Sequence, residues 1–186
     1  MADRSRIIFG NELSASAVSK AQRSKAKYIK RFGDDSGRDY AAIVEPNPFI
    51  GDLLGVKTVR VGGGLSGGEP FDREKGLIVG NIRMGFGHYR ISMAIASAAN
   101  ALGYTPYWMD LNSYPETTCT KVIGAQNDLY SMGSRLSQKS RLFNRLYWEP
   151  LNYEGFRQLS YNAGDQKNAE LMAAVFRNVP KDTISV

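Results

Sequence analysis

The chain is poor in the residues that most often betray a function. Cys119 is its only cysteine and His88 its only histidine in 186 residues. One thiol cannot close an internal disulfide, and a reducing, cytoplasmic setting is the simplest inference. Without a second cysteine or a nearby histidine, Cys119 supports neither a metal site nor a thiol nucleophile. Long apolar runs are missing as well. No stretch approaches the roughly 18 apolar residues of a membrane span. The opening "MADRSRIIFGNELSAS" carries charges but no apolar core of signal-peptide length. The sequence therefore predicts a soluble protein, or at most one lying on a membrane surface. It contains no internal repeat and no low-complexity tract.

What is present is a globular balance, 42% apolar and 23% charged, enough to build a core. The net charge of +6 suits nucleotide phosphates, anionic lipid or nucleic acid without choosing among them. A nucleic-acid partner needs a denser basic patch or a recognised module, and neither is present, so none is expected.

Along the chain, "RIIF" reads as a short strand, and Ser14 to Phe32 as a basic helix with a serine cap and a stop at Gly33. "YAAIVEP" and "VKTVRV" are strand candidates. "GGGLSGGEP" is a loop that reads as a connector, with a phosphate cradle as the alternative. The domain boundary is placed near Lys75, leaving 1–75 as an N-terminal extension and 76–186 as the main domain.

From Gly76 the pattern sharpens. "GLIVGNI" is the apolar run of a strand buried in a parallel sheet. A glycine loop follows. Ile91, Ile95, Ala98 and Leu102 then fall at helical spacing, with Gly103 as the stop. "YTPYWMDL" is the next strand. This is a βαβ unit of a Rossmann-like α/β fold, with strands at 76–82 and 104–110 lying parallel around a helix of about 88–102. In such sheets ligands bind at the carboxyl ends of the strands, where Gly85 to His88 and Asp110 belong. Residues 116–178 read as mostly helical, with Pro150 an interruption and Asp165 a cap. "TISV" reads as a third buried strand cut short, so other residues, among them 1–75, or another chain are expected to complete the sheet.

The glycine loop fails the two common phosphate patterns. Gly80 to Gly85 has Walker spacing, but Phe86 and Gly87 stand where lysine and serine or threonine belong. A dinucleotide fingerprint needs a small residue at Arg90. What survives is physical. Glycines at a strand-to-helix turn let a ligand approach the backbone, and free N–H groups at the helix start favour an anion or polar oxygen. The dipole at that end disfavours an imidazolium, so His88 should be neutral and able to accept a proton. The alternative is a histidine that caps or packs the turn. Asp110 is open to three roles: orienting His88, binding a ligand or capping the next turn.

The stretch "LIVGNIRMGFGHYRISMAIASAANALGY" resembles the opening of the N-terminal domain of GT-B glycosyltransferases, of the monogalactosyldiacylglycerol synthase, diacylglycerol glucosyltransferase and peptidoglycan lipid-linked GlcNAc transferase type. Gly85, Gly87 and His88 match its glycine-rich loop ending in Gly-His, while Phe86 stands where a glycine is common. The resemblance is closest over 76–112. It implies an inverting hexose transfer from a nucleotide sugar, with no other cofactor, to a lipid or other hydroxyl acceptor. It offers His88 as the general base and Gly85, Phe86, Gly87, Tyr89 and Asp110 as substrate-binding residues. It also implies that the donor nucleotide is held by a second Rossmann-like domain. The other reading is a stand-alone nucleotide- or ligand-binding module without catalysis. Arg135, Lys139, Arg141 and Arg145 with Phe143, Tyr147 and Trp148 form a basic, aromatic segment. It reads either as a docking face for anionic membrane, making the protein peripheral, or as an ordinary domain helix with a solvated basic face.

Overall fold

The structure, a computed structural model, describes residues 4–8, 10–83, 85–157 and 163–186. In chain order the elements are β1 (Ile7–Ile8), β2 (Asn11–Glu12), α1 (Ala15–Phe32), β3 (Ala41–Pro46), α2 (Gly51–Leu54), β4 (Lys57–Gly62), β5 (Gly76–Asn81), α3 (Phe86–Ala101), β6 (Thr105–Asp110), α4 (Thr118–Lys139), α5 (Arg141–Phe143), α6 (Glu149–Arg157), α7 (Ala163–Phe176) and β7 (Ile184–Ser185). They fall into two compact units. One is Met1–Asp34 with Gly124–Ala173, the other Asp35–Ile123 with Ala174–Val186. A boundary near Lys75 therefore runs through the second unit.

The physical reason is strand pairing. The second unit holds a five-stranded sheet in the order β3-β4-β6-β5-β7. β3 lies antiparallel to β4, and every other neighbour is parallel. Two of its strands come from before Lys75, because β6 has a free side that β4 fills at Lys57↔Tyr107 and Thr58↔Trp108. The sheet is thus completed from the first 75 residues. β5 and β6 pair over six positions, from Gly76↔Thr105 to Asn81↔Asp110, as the βαβ reading requires. The "TISV" segment does form a strand, but an edge strand with both residues exposed, not a buried one.

α3 packs on β5 and β6 through a face that the apolar spacing did not indicate. Its buried residues are Ser92, Ala96 and Ala99, while Ile91 and Leu102 are exposed. Small side chains let the helix axis approach the sheet, and the larger ones are left outside. Ala96 meets Val56, Val79 and Trp108 in the core, with Ile50, Leu54 and Met93 around them. Burying each such aliphatic side chain contributes about 1.5–3 kcal/mol.

In the first unit, β1 and β2 form a hairpin turned at Gly10, where φ is +80°; Phe9, the last residue of the "RIIF" strand, lies outside the described residues. α1 has the expected ends. Ser14 Oγ accepts from the Ala17 N–H at 3.3 Å, and the chain leaves at Gly33 with φ +94°. Pro150 lies inside a helical run from Arg141 to Arg157, directly after a π-turn at Asn144–Trp148 that breaks the α-helical ladder, so the interruption expected at the proline falls in the turn just before it. In α7, Asp165 lies inside the first turn, and the buried side is partly polar. Gln166 and Lys167 are buried, the Lys167 ammonium 4.7 Å from the Tyr28 ring centroid. Glu170 accepts from Ser5 Oγ, Gln22 Nε2, Lys25 Nζ and Gln166 Nε2 at 2.6–3.1 Å. Burial opposes its charge, but the Lys25 and Gln22 donors outweigh it and hold the carboxyl below its ordinary value. Among the described residues, no helix is long and apolar enough to cross a membrane.

The two glycines of β5 should respond differently to a methyl group. A Cβ at Gly76 would lie 2.3 Å from Asp72 O and 2.5 Å from the Tyr107 ring, whereas one at Gly80 would meet only Val186 O at 3.4 Å. Gly76→Ala is expected to destabilise by about 1–3 kcal/mol in urea unfolding, and Gly80→Ala by much less. Equal effects would contradict this packing.

Candidate functional site

The register of β5 on β6 sets Asn81 directly opposite Asp110 at the carboxyl ends of the two strands. Asp110 is buried, and both of its oxygens are engaged. Oδ1 accepts from the Asn112 N–H at 2.9 Å. Oδ2 accepts from Arg83 Nε at 2.7 Å and Ser113 Oγ at 3.0 Å. Arg83 Nη2 also reaches Ser113 Oγ, and the Arg83 backbone N–H donates to Asn112 Oδ1. Of the three roles open to Asp110, this arrangement is the cap of the next turn, extended into a tie between the loops after β5 and β6.

The glycine loop enters α3 through Gly85 at φ +130°, a conformation that asks for glycine even though nothing crowds a Cβ there. Gly85 is the cap residue, and no side chain bonds the free N–H groups of the first turn. Gly87 already lies within the helix. The His88 ring is exposed and makes no hydrogen bond to a described residue. Its carbonyl accepts from buried Ser92 Oγ at 3.0 Å. The same hydroxyl lies 3.0 Å from Gly80 O and 3.4 Å from Asn81 Oδ1. Ser92 therefore clamps the first turn of α3 to the end of β5.

Two cavities open here, both within the second unit. The larger, about 630 Å³, is lined by Asn81, Trp108, Asp110, Thr58 and Arg60 from the strands and by residues 45–50. Asn47 shapes the 45–50 segment. Its Oδ1 accepts from the Phe49 and Ile50 N–H groups, and its Nδ2 donates to Thr58 Oγ1. The smaller, about 360 Å³, is bounded by Ile82, Gly85 and Phe86. Asn81, Arg83 and Tyr89 line both. Tyr89 stands edge-on to Trp108, with centroids 5.2 Å apart. The charges of the larger cavity are paired, Arg83 with Asp110 at 2.7 Å and Arg60 with Glu45 at 3.4 Å.

Of the residues expected from sequence, Asp110 lines the larger cavity, Gly85 and Phe86 the smaller, and Tyr89 both; Gly87 and His88 line neither. His88 nevertheless lies in the chain between Phe86 and Tyr89. Sequence reasoning missed Asn81, Trp108, residues 45–50 and residues 58–60. Asn81 did leave a signal, as a lone polar residue inside the apolar run "GLIVGNI". The loop "GGGLSGG" gives its Gly63 N–H to Glu116 Oε1 at 2.7 Å, so a carboxylate of the chain sits where a phosphate cradle would hold an anion. Cys119 is fully buried. Burial first, and then Asp35, pushes its thiol up to about 12, so it stays protonated.

Residues 7–186 match the sequence profile of a family described as a domain of unknown function (DUF6937). The chain belongs to that family. The match takes in β3 and β4 together with the glycine loop, so the lining of the larger cavity lies inside the family's span. No curated protein matches the chain. No solved structure does either.

Proposed function

We propose that the chain is the acceptor-binding half of a GT-B-like glycosyltransferase, with the cleft at the ends of β5 and β6 as its acceptor site. The observation that carries this reading is the position of the cleft. It opens at the carboxyl ends of parallel strands, beside a helix that starts on Gly85 with free N–H groups and an exposed His88 in its first turn. In the reaction, the His88 imidazole takes the proton from an acceptor hydroxyl. That oxygen attacks the anomeric carbon of the donor sugar, and the nucleoside diphosphate leaves with the electron pair of the broken C–O bond. The nucleotide sugar is held by a second domain of the GT-B kind, outside these 186 residues.

A second reading, a ligand-binding module without chemistry, is favoured by one observation: His88 is on neither cavity lining. One substitution separates the two in the native full-length protein, assayed with a panel of nucleotide sugars. His88→Ala is expected to lower transfer by about a hundred- to ten-thousand-fold, the loss typical of a missing general base, with the melting temperature unchanged. Ligand binding without transfer in the wild type, or transfer indifferent to His88, would favour the module.

The reading also includes an anionic membrane surface as partner, supported by the first unit. There Leu136, Leu142, Leu146 and Tyr147 are exposed alongside exposed Arg135, Lys139, Arg141 and Arg145. Flotation with phosphatidylglycerol vesicles should carry the protein up. Changing the four basic residues to glutamine should weaken that binding, by about 1 kcal/mol per charge at low salt. Equal binding to neutral phosphatidylcholine vesicles would contradict the electrostatic part.

A further inference from the structure

We infer that the larger cavity is a site for one neutral, hydroxyl-rich ring of pyranose type, held by Asn81 and Trp108. The inference deepens the acceptor reading by naming the chemistry of the acceptor, and it rests on that reading only for the fate of the bound hydroxyl.

The first observation is an unfinished polar group. Asn81 is 5% exposed and lines the cavity. Its one side-chain neighbour within hydrogen-bond distance is Ser92 Oγ. Ser92 has a single hydroxyl hydrogen and faces two carbonyls, Gly80 O and His88 O. With that hydrogen given to a carbonyl, Ser92 meets the amide as an acceptor; otherwise it donates to it. In both cases one end of the Asn81 amide is left facing the cavity. Neither amide atom of Asn81 is among the buried unpartnered atoms, so its loose end is open to the cavity and available to a ligand. A hydroxyl both donates and accepts, so it satisfies whichever end is presented.

The second observation is Trp108, 6% exposed, whose indole N–H donates to no described residue. It is not sealed in the core, since it is not among the buried unpartnered atoms and the residue lines the cavity. It supplies a second donor to the same lining. Tyr89, edge-on to it and 40% exposed, adds a ring whose negative face suits the weakly positive C–H bonds of a sugar ring.

The third observation is charge. The acids and bases on the lining are equal in number and paired, Arg83 with Asp110 and Arg60 with Glu45. The Asn81 amide and the Trp108 N–H are neutral groups. With two acids and two bases the lining carries no net charge to attract an anion, and a neutral polyol needs none. At about 630 Å³ the cavity is of ordinary small-ligand size. A nucleoside phosphate is therefore the wrong occupant for this cavity.

The test is a ligand-observed saturation-transfer titration of the whole chain with methyl α-D-glucopyranoside, methyl β-D-galactopyranoside and uridine 5′-monophosphate. At least one glycoside should bind, with saturation strongest at the ring C–H protons. Uridine monophosphate should neither bind this cavity nor displace the glycoside. Trp108→Phe keeps an aromatic ring but loses the N–H, and Asn81→Leu removes the amide. Each should weaken glycoside binding about tenfold or more. Should Asn81→Leu fail to fold, Trp108→Phe alone carries the test. The inference is overturned by displacement of the glycoside by uridine monophosphate, by absence of glycoside binding, or by unchanged affinity in a folded variant. Glycoside binding by a protein with no transferase activity would sink the transfer reading and leave this one standing.

Discussion

The structure around the cleft depends on one constraint, the in-register parallel pairing of β5 with β6. Because Gly76 faces Thr105, Asn81 must face Asp110 five residues on. A slip of one residue would turn both side chains to the opposite face. With the register as it is, Asp110 ties down Arg83 and the loop after β6, and Asn81 meets Ser92, which fixes the start of α3.

A sheet of β5 and β6 alone would leave the outer side of β6 without partners. β4 fills it, and β3 pairs with β4 to close that edge; an isolated β-bridge between Val44 and Glu69 then lies beyond β3. The same two strands, with the loop after β3, bring residues 45–50 and 58–60 to the lining of the cleft. The segment outside the glycosyltransferase resemblance thus helps to form the pocket that the resemblance emphasises.

The βαβ unit was legible because each of its signals is local: an apolar run, glycines at the turn, helical spacing and the Gly103 stop. The chain pairing was not, because β3 and β4 join the sheet through contacts distant in sequence. The buried face of α3 was misread for a related reason. Hydrophobicity points to Ile91 and Leu102, but close approach to the sheet selects Ser92, Ala96 and Ala99. Asp110 was legible as a turn cap and Gly85 as a backbone requirement. Trp108 read as just another apolar strand residue, since the lack of an acceptor for its N–H is visible only in three dimensions. In α7 the polar Gln166 and Lys167 are buried, and each finds its contact inside the first unit, with Glu170 and Tyr28.

The central claim is that ligand recognition takes place at the ends of β5 and β6. Backbone amide chemical-shift mapping of the isotopically labelled protein, titrated with a methyl glycoside, tests it directly. The account predicts that the perturbed amides cluster at Asn81 to Tyr89, Trp108 to Ser113 and Asn47 to Ile50, and leave residues 62–68 and the first unit unmoved. Perturbations centred on the 62–68 glycine loop, or within α4 to α7, would contradict it.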